Sequence, residues 1–287
     1  MKNYRVQSAA KVDLDVCYYP AQRPKGLVQI LHGMQEHKER YDDFACFLAQ
    51  NGYSVLIHDH LGHGRSTSPE HPLGDMVSCE TILGDIDRVR RSVDFAGPYT
   101  CFGHSMGSFL ARDYAADHPV DRLILMGTGM QSALTLRLMK GLLAFQKKGV
   151  PLPGIQKILT AQLTRGFERP WDWLSLDREN QRRYQQDPLC GQPFTREGYT
   201  AFCDLILKML RPGTYERCTA KRILILSGEH DTVGGFGKGV AQVEARYRRA
   251  GKQARSILYP NMAHEILQEQ GRQRVYDDIL SFLSDPI

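Results

Sequence analysis

The five-residue sequence Gly-His-Ser-Met-Gly at positions 103–107 constrains the fold more than any other part of this chain. It lies between Tyr99–Phe102, which predicts a short buried strand, and Ser108–Ala116, which predicts a helix. A serine on such a turn has a strained backbone that exposes its hydroxyl, and the flanking glycines let strand and helix approach closely. The pattern therefore indicates a nucleophile at Ser105; the alternative is an ordinary glycine-containing turn with a surface serine.

Strand and helix patterns alternate on both sides of this turn. Eight segments are predicted as strands, the first two as an antiparallel hairpin: Tyr4–Ser8, Val12–Tyr18, Leu27–Leu31, Ser54–His58, Tyr99–Phe102, Arg122–Met126, Arg222–Leu226 and Ala254–Tyr259. Residues 129–218 show helical segments and loops without a convincing strand. The expected fold is α/β, a mostly parallel sheet with helices on both faces and an inserted helical cap. The core would be residues 1–128 and 219–287, and the insert residues 129–218.

Composition narrows the class of protein. With 42% hydrophobic and 24% charged residues, the chain has an ordinary globular composition, and its net charge of +5 is too dispersed to predict a nucleic-acid partner. The seven cysteines are scattered, with no C-x-x-C pair, which favours free thiols in a reducing compartment. Residues 1–20 lack an apolar signal core, and no segment is apolar enough to span a bilayer. A cytoplasmic location is expected.

A serine hydroxyl needs a base that removes its proton, and the base needs an acid that fixes its orientation. In a sheet of this kind the order along the chain is serine, acid, histidine. Three histidines follow Ser105: His118, His230 and His264. Only His264 lies just past the last predicted strand with an acid at the end of the strand before it. Asp231 is the predicted acid, and Glu229, two residues away, is the alternative.

Acyl transfer also requires two main-chain N–H groups that stabilise a negative oxygen. One donor follows the nucleophile directly, which predicts the N–H of Met106. The other comes from the loop after an earlier strand, where Gly33 lets the backbone approach, and we predict the N–H of Met34. The alternative for this His-Gly sequence is a simple turn.

With these residues in place, the chain resembles the monoacylglycerol lipase and lysophospholipase branch of the α/β-hydrolase family. The resemblance covers about residues 27–267, least of all in the insert, and rests on these segments: His32–His37, Arg40-Tyr41, His58–Ser66, Gly103–Gly107, Gly228-x-x-Asp231 and Tyr259-x-x-x-x-His264. It implies the α/β-hydrolase fold and no metal or organic cofactor. It also implies a triad and an oxyanion hole at the positions already named: Ser105, Asp231 and His264, with Met34 and Met106. Ser108 departs from the family, which usually has glycine there.

The insert carries two dense apolar runs, at 134–145 and 155–163. Six basic residues and no acidic residue lie between Met130 and Phe167. An apolar helix with a basic fringe favours an acyl-chain ligand or transient contact with an anionic membrane surface. The alternative is a helix that packs on the core with a solvated face. Five aromatic residues either line a pocket or form the insert's own core: Trp171, Trp173, Phe194, Tyr199 and Phe202.

These features predict a serine hydrolase that cleaves small-molecule carboxylic esters, of the monoacylglycerol or lysophospholipid type, through an acyl-enzyme. The alternatives are an aminopeptidase or acyltransferase of the same fold, or a non-catalytic binding protein with that fold. The segment His58–His63 also resembles the H-x-H-x-D-H sequence of zinc hydrolases, but Gly62 takes the place of one ligand. The sequence does not reveal the oligomeric state.

Overall fold

One eight-stranded sheet forms the centre of the computed structural model, which describes residues 1–286. Its strands are β1 (Lys2–Gln7), β2 (Asp13–Tyr19), β3 (Gly26–Leu31), β4 (Tyr53–His58), β5 (Tyr99–His104), β6 (Arg122–Met126), β7 (Arg222–Gly228) and β8 (Gln253–Tyr259). Their order is β1-β2-β4-β3-β5-β6-β7-β8. The pairs β1/β2 and β2/β4 are antiparallel, and all others are parallel. The predicted hairpin and mostly parallel sheet are confirmed.

Helices cover both faces of the sheet. They are α1 (Asp42–Gln50), α2 (Cys79–Arg91), α3 (Met106–Asp117), α4 (Ala133–Leu143), α5 (Pro153–Leu163), α6 (Arg178–Gln186), α7 (Arg196–Met209), α8 (Thr214–Arg217), α9 (Lys238–Arg249) and α10 (Arg272–Ser284), with a 3₁₀ turn at Lys38–Tyr41. Successive side chains of a strand point to opposite faces. Thus Leu123 of β6 joins the apolar cluster under α2, α3 and α9, while Ile124 joins the cluster under α1 and α10. Burial on both faces explains the continuous apolar runs of the central strands.

The turn between β5 and α3 depends on close backbone approach. A Cβ on Gly103 would lie 2.2 Å from the carbonyl oxygen of Gly107. A Cβ on Gly107 would lie 2.0 Å from the carbonyl oxygen of Leu31. Both distances are far below van der Waals contact, so only glycine fits, as the sequence predicts.

Helices α4–α8 lie between β6 and β7, and the described structure of this segment contains only an isolated bridge, Pro151 with Thr195, and no strand. Helix α7 packs on α3 and adds Cys203 and Ile206 to the apolar cluster of the sheet. Because the insert and the sheet share one apolar cluster, the packing does not delimit a separate insert domain. The predicted insert boundaries, residues 129–218, therefore stay a prediction. Ile287, the end of the predicted core, lies outside the described residues. No helix within residues 1–286 is long and apolar enough to cross a membrane.

Candidate active site

Ser105 occupies the sharp turn between β5 and α3. Its φ of 53° and ψ of −119° lie in a region that non-glycine residues rarely adopt. Its N–H donates to the carbonyl of Met126 at 2.9 Å, and its carbonyl accepts the Ser108 hydroxyl at 2.6 Å. Hydrogen bonds to both the N–H and the carbonyl of Ser105 therefore hold its strained backbone, and such strain is common at functional sites.

Asp231 and His264 form a buried pair beyond the ends of β7 and β8. Asp231 Oδ1 lies 3.0 Å from His264 Nδ1, and the side chains are 0% and 3% exposed. The Ser227 hydroxyl donates to Asp231 Oδ2 at 3.0 Å, and the Val233 N–H donates to Oδ1 at 2.9 Å. Glu229, the alternative acid, is exposed on the same loop. The geometry thus pairs His264 with Asp231.

The pKa of Asp231 is lowered and the pKa of His264 is raised by their contact. Burial alone would raise the pKa of Asp231, but the charge and hydrogen bond of His264 bring it below its ordinary value. Burial alone would lower the pKa of His264, but the charge and hydrogen bond of Asp231, with the charges of Glu265 and Glu36, raise it. Asp231 is therefore ionised at neutral pH, and the imidazolium form of His264 is stabilised.

Ser105 and His264 line one cavity of about 260 Å³. A Cβ on Gly127 would lie 2.7 Å from Cε1 of His264, so the chain there also has to be glycine. The hydrogen bonds among residues 1–286 include none between the Ser105 hydroxyl and His264. Such contacts are often loose in a free enzyme and tighten when substrate binds.

Met106 directly follows Ser105 at the start of α3, and Met34 lies in the loop after β3. Met106 is the first residue of α3, where main-chain N–H groups lack a partner inside the helix. Met34 follows Gly33, whose N–H donates to Glu36 Oε1 at 2.5 Å. A Cβ on Gly33 would lie 3.2 Å from the Cβ of Ser105, so this loop runs directly beside the serine.

A buried polar network was missed by the sequence analysis, and its members Glu36, His104 and Glu265 line the cavity. Glu36 Oε1 accepts from Tyr41 Oη at 2.8 Å and lies 2.9 Å from His104 Nδ1, while Glu36 Oε2 accepts from Arg40 Nε at 3.2 Å. Arg40 also donates to Glu265 at 2.6 Å. Burial would raise the pKa of Glu36, but His104 and Arg40 hold it far below its ordinary value. The only sequence signal was the resemblance at 32–37 and 40–41.

The insert is fastened to the loop that carries His264. Two carboxylate oxygens of Glu269 accept the N–H groups of Ala263 (3.1 Å), Leu176 (2.8 Å) and Asp177 (3.1 Å). The Glu265 N–H donates to the carbonyl of Leu174 at 2.8 Å. The indole ring of Trp173 lies 5.7 Å from the His264 ring. This part of the insert therefore helps to position the histidine.

The five insert aromatics divide between the two roles left open by the sequence. Trp173, Tyr199 and Phe202 line the cavity. Trp171 and Trp173 also pack in a small cluster of the insert with Tyr184. Phe194 is buried in the main apolar cluster with the sheet.

His58, His60 and His63 do not form the zinc site that the alternative interpretation of this segment would require. Their donor atoms do not come together within 4.8 Å as a set of three in the described part of the chain. Their rings instead contact one another and His32, with centroids 4.2–6.3 Å apart. Burial lowers the pKa of His58 and His63 to about 3 and that of His32 to about 4. The segment is a buried structural loop.

The fold and this serine-histidine-aspartate arrangement define an α/β hydrolase. The sheet order, the turn at Ser105 and the helical insert before β7 are its characteristic elements. The chain belongs to the family described as serine aminopeptidase, S33, whose profile matches residues 22–271.

Known relatives also confirm the resemblance to monoacylglycerol lipases. A monoglyceride lipase homolog of Monkeypox virus is 29% identical over 196 residues, which is 66% of each chain. The monoglyceride lipase of Homo sapiens is 36% identical over 107 residues, 36% of this chain and 35% of the relative. These matches cover less than two thirds of the relatives' length. A carboxyl esterase from Bacillus coagulans, solved in complex with glycerol, superimposes with a TM-score of 0.90 at 27% identity and covers 98% of this chain and 97% of its own.

Proposed function

We propose that this protein is a serine hydrolase that cleaves carboxylic esters of the monoacylglycerol type. Ser105 is the nucleophile, His264 the general base and Asp231 the acid that orients it. The observation that supports this most is the buried Asp231–His264 hydrogen bond, which shares one cavity with a strained serine.

The reaction follows from these positions. Ser105 Oγ attacks the ester carbonyl carbon while Nε2 of His264 accepts the hydroxyl proton. The carbonyl oxygen becomes an oxyanion that accepts from the N–H groups of Met34 and Met106. His264 then gives the proton to the leaving alcohol as the carbon–oxygen bond breaks, leaving the acyl group on Ser105. A water molecule repeats the sequence and releases the acid.

The electrostatics favour each step. Asp231 holds the proton of His264 on Nδ1, so that Nε2 is the basic nitrogen. The raised pKa of His264 stabilises the imidazolium that forms when Ser105 loses its proton. Met106 begins α3, so the helix dipole adds positive potential where the oxyanion develops.

The cavity supports an ester with a long acyl chain and a small polar alcohol. Its lining includes apolar side chains that could contact an acyl chain: Leu136, Met139, Leu159, Leu163, Phe202 and Ile206. The same lining includes the polar side chains of Glu36, His104 and Glu265. The glycerol bound by the Bacillus coagulans esterase is consistent with a polyol leaving group. Lysophospholipids remain an alternative ester class.

An aminopeptidase is the second candidate, because the family is described by that activity. Its substrate would need a carboxylate that binds the terminal ammonium group. Glu36 and Glu265 line the cavity, but both are already paired with Arg40. An ammonium group would have to displace a buried guanidinium, so esters are favoured over aminoacyl amides.

We also propose that α4 and α5 touch the membrane surface during substrate uptake. Apolar residues on these helices or just after α4 are 62–90% exposed: Leu134, Leu138, Leu142, Phe145 and Ile158. The basic residues around them favour an anionic lipid surface. The seven cysteines are all free thiols, which supports a cytoplasmic location.

The test is hydrolysis of monoacylglycerols, lysophospholipids, short esters and aminoacyl amides by the wild type and by Ser105→Ala. Ser281→Ala, an exposed serine of α10, is the matched control. Ser105→Ala should lower kcat by about 10⁶, as in comparable triads, and should abolish labelling by a fluorophosphonate. Turnover near the wild-type rate in that variant would refute the mechanism. Preferred cleavage of aminoacyl amides would favour the peptidase, and acyl transfer to an added alcohol in place of acid release would favour an acyltransferase.

A further inference from the structure

Three potential metal ligands converge where the insert rests on the loop after β3. The imidazole of His37, the carboxylate of Asp187 and the thiol of Cys190 each place a donor atom within 4.8 Å of the other two. His37 Nε2 lies 2.8 Å from Asp187 Oδ2. No other set of three histidine, cysteine or acidic side chains meets this spacing within residues 1–286.

Local structure holds the two insert ligands in place. Asp187 directly follows α6 as its C-cap residue, and its Oδ1 accepts the Leu189 N–H at 2.9 Å. Its carbonyl accepts the N–H of Cys190 at 3.0 Å. This tight turn brings Asp187 and Cys190 to the same side. His37 and Cys190 are buried, whereas the Asp187 side chain is 28% exposed and leaves an approach from solvent.

The charges near the three donors favour a cation. Glu36 precedes His37 in the chain, and the Arg40 guanidinium pairs with Glu36 and Glu265. Among the described residues, the Asp187 carboxylate pairs only with His37. Its Oδ2 can therefore bind a metal ion in place of its hydrogen bond to the His37 imidazole.

We propose that His37, Asp187 and Cys190 bind one divalent transition-metal ion, with Zn²⁺ the best match. Nitrogen, oxygen and sulfur donors of these residue types are those zinc takes, in tetrahedral geometry, with a water in the fourth position. Binding releases the thiol proton of Cys190 to solvent. The imidazole proton moves from Nε2 to Nδ1, which has no hydrogen-bond partner in the described structure and can carry it.

The ion would strengthen an existing contact and takes no part in ester cleavage. The carbonyl of Gln35 already accepts from the Gly191 N–H at 2.9 Å and from Tyr184 Oη at 3.0 Å. Gln35 directly follows Met34 and lies two residues before His37. A metal between His37 and Cys190 would therefore tie the insert to the loop that carries Met34.

The test is titration of the full chain with Co²⁺ followed by visible absorption, and with Zn²⁺ followed by thermal unfolding. The wild type should bind one equivalent of Co²⁺ with a thiolate charge-transfer band, Zn²⁺ should displace it, and Tm should rise with Zn²⁺ concentration. Cys190→Ser should lose the band and the rise in Tm. Cys46→Ser, which removes the exposed cysteine of α1, should keep both.

Asp187→Asn provides a second variant, which should weaken binding measured by calorimetry while it keeps the thiol. Absence of saturable binding in the wild type would overturn the proposal. Binding that Cys190→Ser retains unchanged would show a surface site elsewhere and would overturn it as well. All these readouts are independent of ester hydrolysis.

Discussion

Replacing His58 with leucine should make the protein less sensitive to acid. His58 ends β4, is 0% exposed, and has no hydrogen-bond partner for either ring nitrogen among the described residues. Burial lowers its pKa to about 3, whereas an unfolded histidine has a pKa of about 6.5. Between these values the unfolded chain holds one more proton than the folded chain. The free energy of unfolding therefore falls as pH falls through this window.

The size of the effect follows from this proton difference. One proton changes the free energy of unfolding by about 1.4 kcal/mol per pH unit, so His58 costs about 2 kcal/mol at pH 5. At pH 7 the ring is neutral in the folded state and mostly neutral in the unfolded state. At this pH, the His58→Leu substitution removes two ring nitrogens that lack hydrogen-bond partners. It should therefore leave the free energy of unfolding unchanged or raise it by about 1 kcal/mol. The gain of the leucine variant over the wild type should therefore be about 2 kcal/mol larger at pH 5 than at pH 7.

Urea unfolding at pH 7 and pH 5, with circular dichroism as the probe, measures this difference. Comparison between the two pH values cancels any packing change that the substitution introduces. His230→Leu, which removes an exposed histidine, is the matched control for loss of an imidazole. Equal losses of stability from pH 7 to pH 5 in the wild type and His58→Leu would show that the His58 ring is protonated in the folded protein.

Three further predictions concern the candidate site. Asp231→Asn should lower kcat by about 10⁴ while Glu229→Gln stays near wild type in ester hydrolysis; the reverse result would make Glu229 the acid. Because His264 must be neutral to accept a proton, kcat/KM should rise with pH through a midpoint above 6.5 in a pH–rate profile. The charge of Glu265 contributes to the raised pKa of His264, so Glu265→Gln should shift that midpoint down. An unmoved midpoint would exclude an influence of Glu265. Glu269→Ala, which leaves three main-chain N–H groups without their acceptor, should cost more than about 2 kcal/mol in urea unfolding, and Glu269→Gln less; equal stabilities would contradict this.

The sheet was predictable because its information is local. An apolar or alternating run of residues predicts each strand. The order of strands and helices along the chain then allows few topologies. The glycines at 103 and 107 predicted the turn, since no other residue tolerates that approach. Asp231 and His264 followed from their positions at strand ends. Their contact could be predicted because both residues follow parallel strands whose carboxyl ends lie at the same edge of the sheet.

The polar network could not be predicted in the same way. Arg40 and Glu265 are 225 residues apart, and neither periodicity nor spacing couples them. Glu36 lies in a loop, where no pattern shows that its side chain turns inward. The insert was ambiguous for a related reason. An amphipathic stripe predicts that one helix face is apolar, but α7 turns that face to the core while α4 leaves much of it in solvent.

The two halves of the insert are attached very differently, and this matters for how such enzymes diversify. Glu265 and Glu269 hold residues 173–177 against the loop that carries His264. Substitutions in this segment are therefore expected to change the position of the imidazole. Helix α5 has no fully buried side chain, although its Leu159 and Leu163 line the cavity. Substitutions along it can therefore accumulate without disturbing catalysis. Under the proposed function, preference for acyl-chain length can therefore change among homologues while the residues of the triad stay the same, and exchange of this helix between homologues is a route to new substrate ranges.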